Sequence, residues 1–320
     1  MSHDRLPDIA RPSTHRIHEV VLGADSQTGG TRERVVRIGG QTTMPFHSMD
    51  GAVPHRPALA MEITSRAPSD WPQPLVEPVR DVCSDPGSWA KRCVADFGAE
   101  AICLRLTRDD SDPARAAQAV SEILSSVGVP LIVWGTGDNE LDAQLFPQVA
   151  EAAASEQCLL GTITETNYRT LTALATAYGH LVIAESPVDI NMAKQINILA
   201  ADAGFPQERL VMYPTTGALG YGIEYVVSIM ERLRLAGLKG DRNVAMPIVA
   251  DIGREAWSVK EAKADANEEP GWGDPSRRAP AWEAATAMMY VHAGTDLLIM
   301  RHPEAVRATA AAIDRLMPES

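Results

Sequence analysis

Cysteine is scarce in this 320-residue chain, and none of the four, Cys83, Cys93, Cys103 and Cys158, stands in a C-x-x-C pair. Zinc and iron–sulfur sites draw ligands closely spaced in sequence, so the chain is not expected to carry a metal cluster of its own. Nothing suggests a disulfide framework, and Cys103, inside an apolar run, reads as a small core residue. Lysine and arginine form no cluster, and 42 acids against 29 bases leave a formal net charge of −13. A nucleic-acid binder needs a basic face that neutralises phosphates, so DNA and RNA are not expected partners, nor is an anionic membrane surface. The surplus acidity is read first as a source of solubility. No apolar run approaches the ~20 residues that span a bilayer. Positions 1–16 are polar and interrupted by proline, without a stretch of signal-peptide type; a cytoplasmic protein is expected. Aromatic residues make up only 5% of the chain. The apolar content is Ala, Leu, Val, Ile and Met, which suits helices packed on a parallel sheet better than an all-β sandwich.

Two regimes follow one another along the chain. Residues 1–57 read as an extension holding a β-hairpin. Ile17–Leu22 and Arg34–Ile38 alternate apolar and polar residues around the turn-rich Gly23–Gly30 segment, and Gly39-Gly40 ends the pattern. Residues 58–320 instead show eight short apolar runs: Ala58–Ile63, Ala101–Leu106, Leu131–Trp134, Cys158–Thr162, Leu181–Glu185, Leu210–Tyr213, Pro247–Asp251 and Leu297–Met300. Each is followed by a segment with apolar residues at three- and four-residue spacing: Pro86–Phe97, Pro113–Val127, Glu140–Ala154, Asn167–Tyr178, Asp189–Ala203, Ile223–Leu238, Ala279–Ala293 and Glu304–Leu316. Eight strand–helix units over about 250 residues predict an α/β fold of the TIM (β/α)8 barrel type. An open doubly wound sheet would show fewer units and a glycine fingerprint after its first strand. Here Ile63 leads into Thr64-Ser65-Arg66-Ala67-Pro68. Function is then expected at the C-terminal ends of the strands. The long loop Lys263–Arg278, with Trp272 between two glycines, is expected to be a contact surface.

Alternation assigns facing. Leu59, Met61 and Ile63 should meet the helices, with Ala60, Glu62 and Thr64 inside the barrel; Ile102, Leu104 and Leu106 face out, with Ala101, Cys103 and Arg105 inside. Glu62 and Arg105 would thus share one low-dielectric space, either as a charged pair beneath an active mouth or, the favoured reading, as a structural ion pair. The strand exits carry Thr162-Ile163-Thr164-Glu165-Thr166-Asn167, Glu185-Ser186-Pro187-Val188-Asp189-Ile190-Asn191, Tyr213-Pro214-Thr215-Thr216-Gly217 and Arg301-His302-Pro303. These are hydroxyls, amides and caps more than an acid–base set: Asp189 and Thr166 suit N-caps and Pro303 a first helical position. Gly217-Ala218-Leu219-Gly220-Tyr221-Gly222 could offer backbone N–H groups to a phosphate or to amide oxygens, or serve only turn geometry. His302 is the best-placed histidine for acid–base work, but no partner carboxylate is identifiable; His47 and His55 lie in the extension without ligand spacing. No hydrolytic triad, H-E-x-x-H or activated-lysine pattern occurs, so no catalytic residue and no metal ligand is assigned.

An ordered series of strings carries a resemblance: Gly29-Gly30-Thr31-Arg32, Pro45-Phe46-His47, Asp70-Trp71-Pro72, Ser186-Pro187-Val188-Asp189-Ile190-Asn191, Lys194-Gln195-Ile196-Asn197-Ile198, Leu219-Gly220-Tyr221-Gly222-Ile223-Glu224-Tyr225, Ser228-Ile229-Met230-Glu231-Arg232, Gly253-Arg254-Glu255-Ala256-Trp257, Pro270-Gly271-Trp272-Gly273 and Met300-Arg301-His302-Pro303-Glu304-Ala305-Val306. Together, from about Val20 onward, they resemble the small (delta) subunit family of the corrinoid iron–sulfur protein of the acetyl-CoA decarbonylase/synthase (Wood–Ljungdahl) system. The resemblance implies a TIM barrel that pairs with a large subunit bearing the iron–sulfur cluster and a corrinoid domain, with the corrinoid at the interface. It further implies methyl transfer from methyltetrahydrofolate or a pterin analogue, through a methyltransferase, to acetyl-CoA synthase. By motif match, the cap over the corrinoid is placed at Thr164, Asn167, Asp189, Asn191, Thr215, Gly217, Gly220 and Tyr221, with Arg301 and His302 as further members. Tyr213, Ala218 and His55 depart from that family's pattern, where Asp, Gly and Asn are usual. Two other functions are weighed: a stand-alone pterin-binding barrel enzyme of the dihydropteroate-synthase or folate-methyltransferase type, and a structural partner without a ligand.

Overall fold

The computed structural model describes residues 11–47 and 49–317. Two short strands, β1 (Glu19–Leu22) and β2 (Val36–Gly39), pair antiparallel. Eight parallel strands follow: β3 (Ala58–Thr64), β4 (Ala101–Arg105), β5 (Leu131–Trp134), β6 (Leu159–Ile163), β7 (Leu181–Glu185), β8 (Leu210–Tyr213), β9 (Val249–Asp251) and β10 (Leu297–Met300). Their hydrogen-bonded order is β8-β7-β6-β5-β4-β3-β10-β9. A parallel bridge between Met212 and Ile248, with the Met212 N–H donating to the Pro247 carbonyl at 2.8 Å, closes the ring into a barrel.

Eight helices form the outer layer: α1 (Pro86–Ala95), α2 (Pro113–Ser126), α3 (Asn139–Ala152), α4 (Tyr168–Tyr178), α5 (Ile190–Asp202), α6 (Ile223–Leu238), α7 (Pro275–Ala293) and α8 (Pro303–Leu316). Five begin at an aspartate, Asp85, Asp112, Asp138, Asp189 or Asp274, whose carboxylate accepts first-turn N–H groups that have no partner within the helix. Asp274 followed by Pro275 at the first helical position starts α7 four residues ahead of the expected Ala279, so the long loop is shorter than its composition implies. Ile252–Ala256 and Lys260–Lys263 add short helices before it. Among the described residues no helix is long and apolar enough to cross a membrane.

The alternation expected from sequence sorts the core into two shells. Leu59, Met61, Ile63, Ile102, Leu104 and Leu106 pack outward against the helices. Ala58, Ala60, Ala101 and Cys103 belong to a separate inner cluster. Val20, Leu22 and Ile38 of the hairpin are part of that inner cluster, so β1 and β2 stopper the end of the bore from which the parallel strands start. Gly39 makes the seal possible: its φ is +86°, and a Cβ there would lie 2.0 Å from the His18 carbonyl oxygen and 2.8 Å from Pro247. Two buried arginines anchor the extension. Arg32 pairs with Glu156 at 2.8 Å and donates to the carbonyls of Val127 (2.6 Å) and Leu124 (2.7 Å). Arg234 pairs with Asp296 at 2.6 Å and donates to Gln41 at 3.2 Å.

Candidate functional site

At the opposite end of the bore the inward-facing residues are charged. Arg105, closing β4, donates to Glu62 on β3 at 2.8 Å and to Asp251 on β9 at 2.7 Å. Arg301, just past β10, meets the second Glu62 oxygen at 2.6 Å. The Glu62–Arg105 pair expected from alternation is therefore part of a four-membered network. Burial pushes the Glu62 carboxyl up, but Arg105 and Arg301 together outweigh it and hold it below its ordinary value. Asp251 goes the other way: burial raises it, Arg105 offsets only part, and the Glu62 charge adds to the rise. One Asp251 oxygen has no hydrogen-bond partner among the described residues.

Beside this network the bore is filled. Trp134 and Tyr213 meet edge to face with centroids 4.9 Å apart, and the Arg105 guanidinium lies 4.9 Å from the Trp134 ring centre. The Thr162 hydroxyl donates to Glu185. A ligand at this face must lie on the rim, because the inside is occupied.

The rim has two unlike halves. On the side of β3–β5 and β9–β10 a cleft of about 710 Å³ opens, with Glu62, Arg105 and Arg301 at its floor and Trp71, Trp257, Arg66, Arg108, Arg254 and Lys263 around it. Gly253 lets the β10 exit come close: a Cβ there would lie 2.9 Å from the Arg301 backbone nitrogen. Buried Glu283 braces this wall from behind, accepting from the N–H groups of Arg301 (2.6 Å) and His302 (3.1 Å) and from the Trp257 indole (2.7 Å). The His302 ring is turned away from the rim. Its Nδ1 accepts from the Glu304 N–H at 3.1 Å, capping α8, and the ring stacks on Trp257.

These two buried groups bear opposite pH signatures. Burial pushes Glu283 from 4.5 up to about 7, so the stability tied to it is full below 4.5 and is lost as pH rises through 7. Burial pushes His302 from 6.5 down to about 4, so its contribution is full above 6.5 and is lost as pH falls through 4. Between 4.5 and 6.5 they offset each other. In Glu283→Gln the rise in stability with pH across that window is expected to emerge, and urea midpoints measured at stepped pH check it.

The other half of the rim gathers eight of the sequence-derived residues on the adjoining exits of β6, β7 and β8. Asn167 accepts from the Thr164 N–H at 2.7 Å and donates to the Thr162 carbonyl (3.0 Å) and Asn139 (3.1 Å), so it shapes its own loop. Thr166, expected as a cap, instead bonds the Thr164 hydroxyl at 2.8 Å, and the residue at the N-cap position of α4 is Asn167. Asp189 caps α5, accepting from Asn191 and Met192 N–H groups at 2.7 and 3.1 Å. Thr215 donates to the Ser186 carbonyl at 2.9 Å and ties two loops together. The Gly217 N–H and carbonyl are both taken by the Tyr290 hydroxyl, at 2.7 and 2.9 Å. Asn191, Gly220 and Tyr221 are exposed, Tyr221 with its hydroxyl 3.0 Å from Glu261. Sequence reasoning missed Asp251, Glu283 and four of the cleft cations, Arg66, Arg108, Arg254 and Lys263. Arg66 and Arg108 directly follow β3 and β4, and that position was the available signal. Trp272 stands partly exposed with Lys260 and Arg278 5.3 and 5.6 Å from its ring centre.

Comparison with known proteins starts from the barrel. A Coxiella burnetii dihydropteroate synthase in complex with pteroic acid superposes with a TM-score of 0.56 at 12% identity, covering 93% of this chain and 99% of that one. The Xanthomonas albilineans dihydropteroate synthase in complex with 7,8-dihydropteroate gives 0.54 at 13%, covering 86% and 99%. Likeness at such identity establishes the fold alone. Sequence goes further. Residues 19–316 match the family described as CO dehydrogenase/acetyl-CoA synthase delta subunit. This chain belongs to that family. The acetyl-CoA decarbonylase/synthase complex subunit delta of Archaeoglobus fulgidus is 37% identical over 305 residues, which cover 91% of this chain and 66% of the relative. That of Methanopyrus kandleri is 36% identical, covering 93% and 74%. The chain thus spans about two thirds to three quarters of the length of these delta subunits. The delta-family match runs from the first residue of β1 to the last of α8, so the hairpin stopper and both halves of the rim lie inside it.

Proposed function

We propose that this chain is the small subunit of a heterodimeric corrinoid iron–sulfur methyl carrier, and that its rim caps the corrinoid. The observation that carries the reading, beside delta-family membership, is the filled bore, which leaves ligand contacts to a rim of hydroxyls, amides and exposed side chains. A corrin ring has broad faces edged with amide side chains, and this rim offers matching chemistry: Asn191, Gly220 and Tyr221 are exposed, and Val188, on the same strand exit as Asn191, is 41% exposed and offers an apolar contact. In this reading Thr164, Asn167, Asp189, Thr215 and Gly217 shape the loops, while Asn191, Gly220 and Tyr221 touch the ligand. Arg301 and His302 brace the far wall. When bound, the corrinoid supplies methyl acceptance and donation at cobalt; this chain binds, orients and excludes water. The iron–sulfur cluster belongs to the large subunit, and a pterin-dependent methyltransferase and acetyl-CoA synthase are the donor and acceptor partners.

Co-expression with a large subunit tests this. The heterodimer is expected to show corrinoid absorbance that neither chain shows alone. Asn191→Ala with Tyr221→Ala is expected to weaken corrinoid retention about tenfold, the scale of one or two hydrogen bonds, with circular dichroism native. Unchanged retention and unchanged methyl transfer would remove the cap from this rim. The stand-alone pterin enzyme finds less support, because Trp134 and Tyr213 occupy the bore and the polar groups of Asn167 and Asp189 are engaged within the chain. Tight pterin binding by the isolated chain would revive it.

A further inference from the structure

The cleft on the β3–β5 and β9–β10 side carries a charge opposite to that of the molecule. Its lining holds six cations, Arg66, Arg105, Arg108, Arg254, Lys263 and Arg301, against three carboxylates, Glu62, Asp70 and Asp109, in a chain of net charge −13. Arg105 and Arg301 are neutralised at the floor by Glu62 and Asp251. Arg66, Arg108, Arg254 and Lys263 are exposed, and none of them forms an ion pair among the described residues. Several arginines elsewhere in the chain, Arg32, Arg56, Arg92 and Arg234, do pair with carboxylates. Four cations without ion pairs line one concavity and repel each other there, and a bound anion would relieve that repulsion. Low-dielectric walls focus their combined field into the cleft.

We propose that this cleft binds a small organic polyanion carrying two or more phosphate or carboxylate groups. The cations stand on two walls, Arg66 and Arg108 on the exits of β3 and β4, and Arg254 and Lys263 on the segment after β9, so a ligand engaging both needs charge at separate points. A volume of about 710 Å³ lies within the range of small-molecule sites, roughly 300–1,000 Å³. The floor is already rigid: Glu62 is shared by two arginines and Glu283 fixes the Arg301 backbone, so the site needs little ordering on binding. Concavity and a buried floor favour a small molecule over an acidic protein segment, which would need a flatter and longer track.

The test uses the full chain without corrinoid, so its outcome is separate from that of the cap. Inorganic pyrophosphate and citrate are titrated calorimetrically at low salt, with acetate and a polyglutamate peptide for comparison. Both polyanions are expected to bind at least about tenfold more tightly than acetate, and to weaken as salt screens the cations. The exposed double reversals Arg66→Glu with Arg108→Glu, and Arg254→Glu with Lys263→Glu, are each expected to weaken binding at least tenfold with native circular dichroism. The proposal is overturned if neither polyanion exceeds acetate, or if both reversals bind like the parent chain. It is equally overturned if the peptide alone binds, since the cleft would then be a protein-docking surface.

Discussion

A chain that begins at Ala58 is expected to fail to fold. The extension supplies Val20, Leu22 and Ile38, each 1% exposed or less, to the inner cluster of the barrel. At about 1.5–3 kcal/mol per fully buried aliphatic side chain, these three alone contribute on the order of 5–9 kcal/mol. That is comparable with the whole net stability of an ordinary domain, about 5–15 kcal/mol. Truncation also strands polar groups. Glu156 loses Arg32, the Val127 and Leu124 carbonyls lose its guanidinium, and Arg234 loses Gln41. Expression of residues 58–320 is expected to give insoluble protein or a non-cooperative thermal transition. Leu22→Asp in the full chain is expected to do much the same by placing a carboxylate in a dry bore. A soluble, cooperatively unfolding fragment would show that the hairpin is an ornament of the barrel and not its stopper.

Glu62→Ala is expected to destabilise by about 3–5 kcal/mol, the usual scale for breaking a buried ion pair on one side. Its two oxygens serve different arginines, so the change leaves Arg301 without its carboxylate and Arg105 with Asp251 alone. Glu62→Gln keeps the shape and removes the charge, and is expected to lose most of the same amount. The pH signature separates the two contributions. Because the Glu62 carboxyl lies below its ordinary value of 4.5 in the fold, its stabilisation is complete above that value and fades as pH falls through the lower folded one. Wild type is therefore expected to lose its advantage over Glu62→Gln on acidification, as read from urea midpoints. An advantage that stays constant with pH would assign the effect to packing.

The barrel was legible because two periodicities are local. Strand alternation at Ala58–Thr64 and Ala101–Arg105 placed Glu62 and Arg105 inside, and neighbouring strands then had to bring them together. The hairpin was legible for the same reason, but its place was not: nothing near Val20 or Leu22 in sequence says that they seal a bore built from residues 58 onward. Arg301 reaches Glu62, and Arg105 reaches Asp251, across 239 and 146 positions, a closure that no local pattern records. His302 shows the limit of position alone. Its strand-exit location put it at the mouth, while its rotamer, fixed by the Glu304 N–H and Trp257, turns the ring into the wall. The cleft cations follow strand exits whose loop directions are irregular, and a chain this acidic overall gave no reason to look for them.

The edge-to-face Trp134 and Tyr213, with the ion network beside them, have a mechanical consequence. A tube plugged at one end by a hairpin and at the other by its own rings cannot breathe along its axis or admit a guest to its middle. It behaves as a post. In the proposed capping role, travel between donor and acceptor would have to be made by the group seated on it, while the post keeps one fixed face toward it.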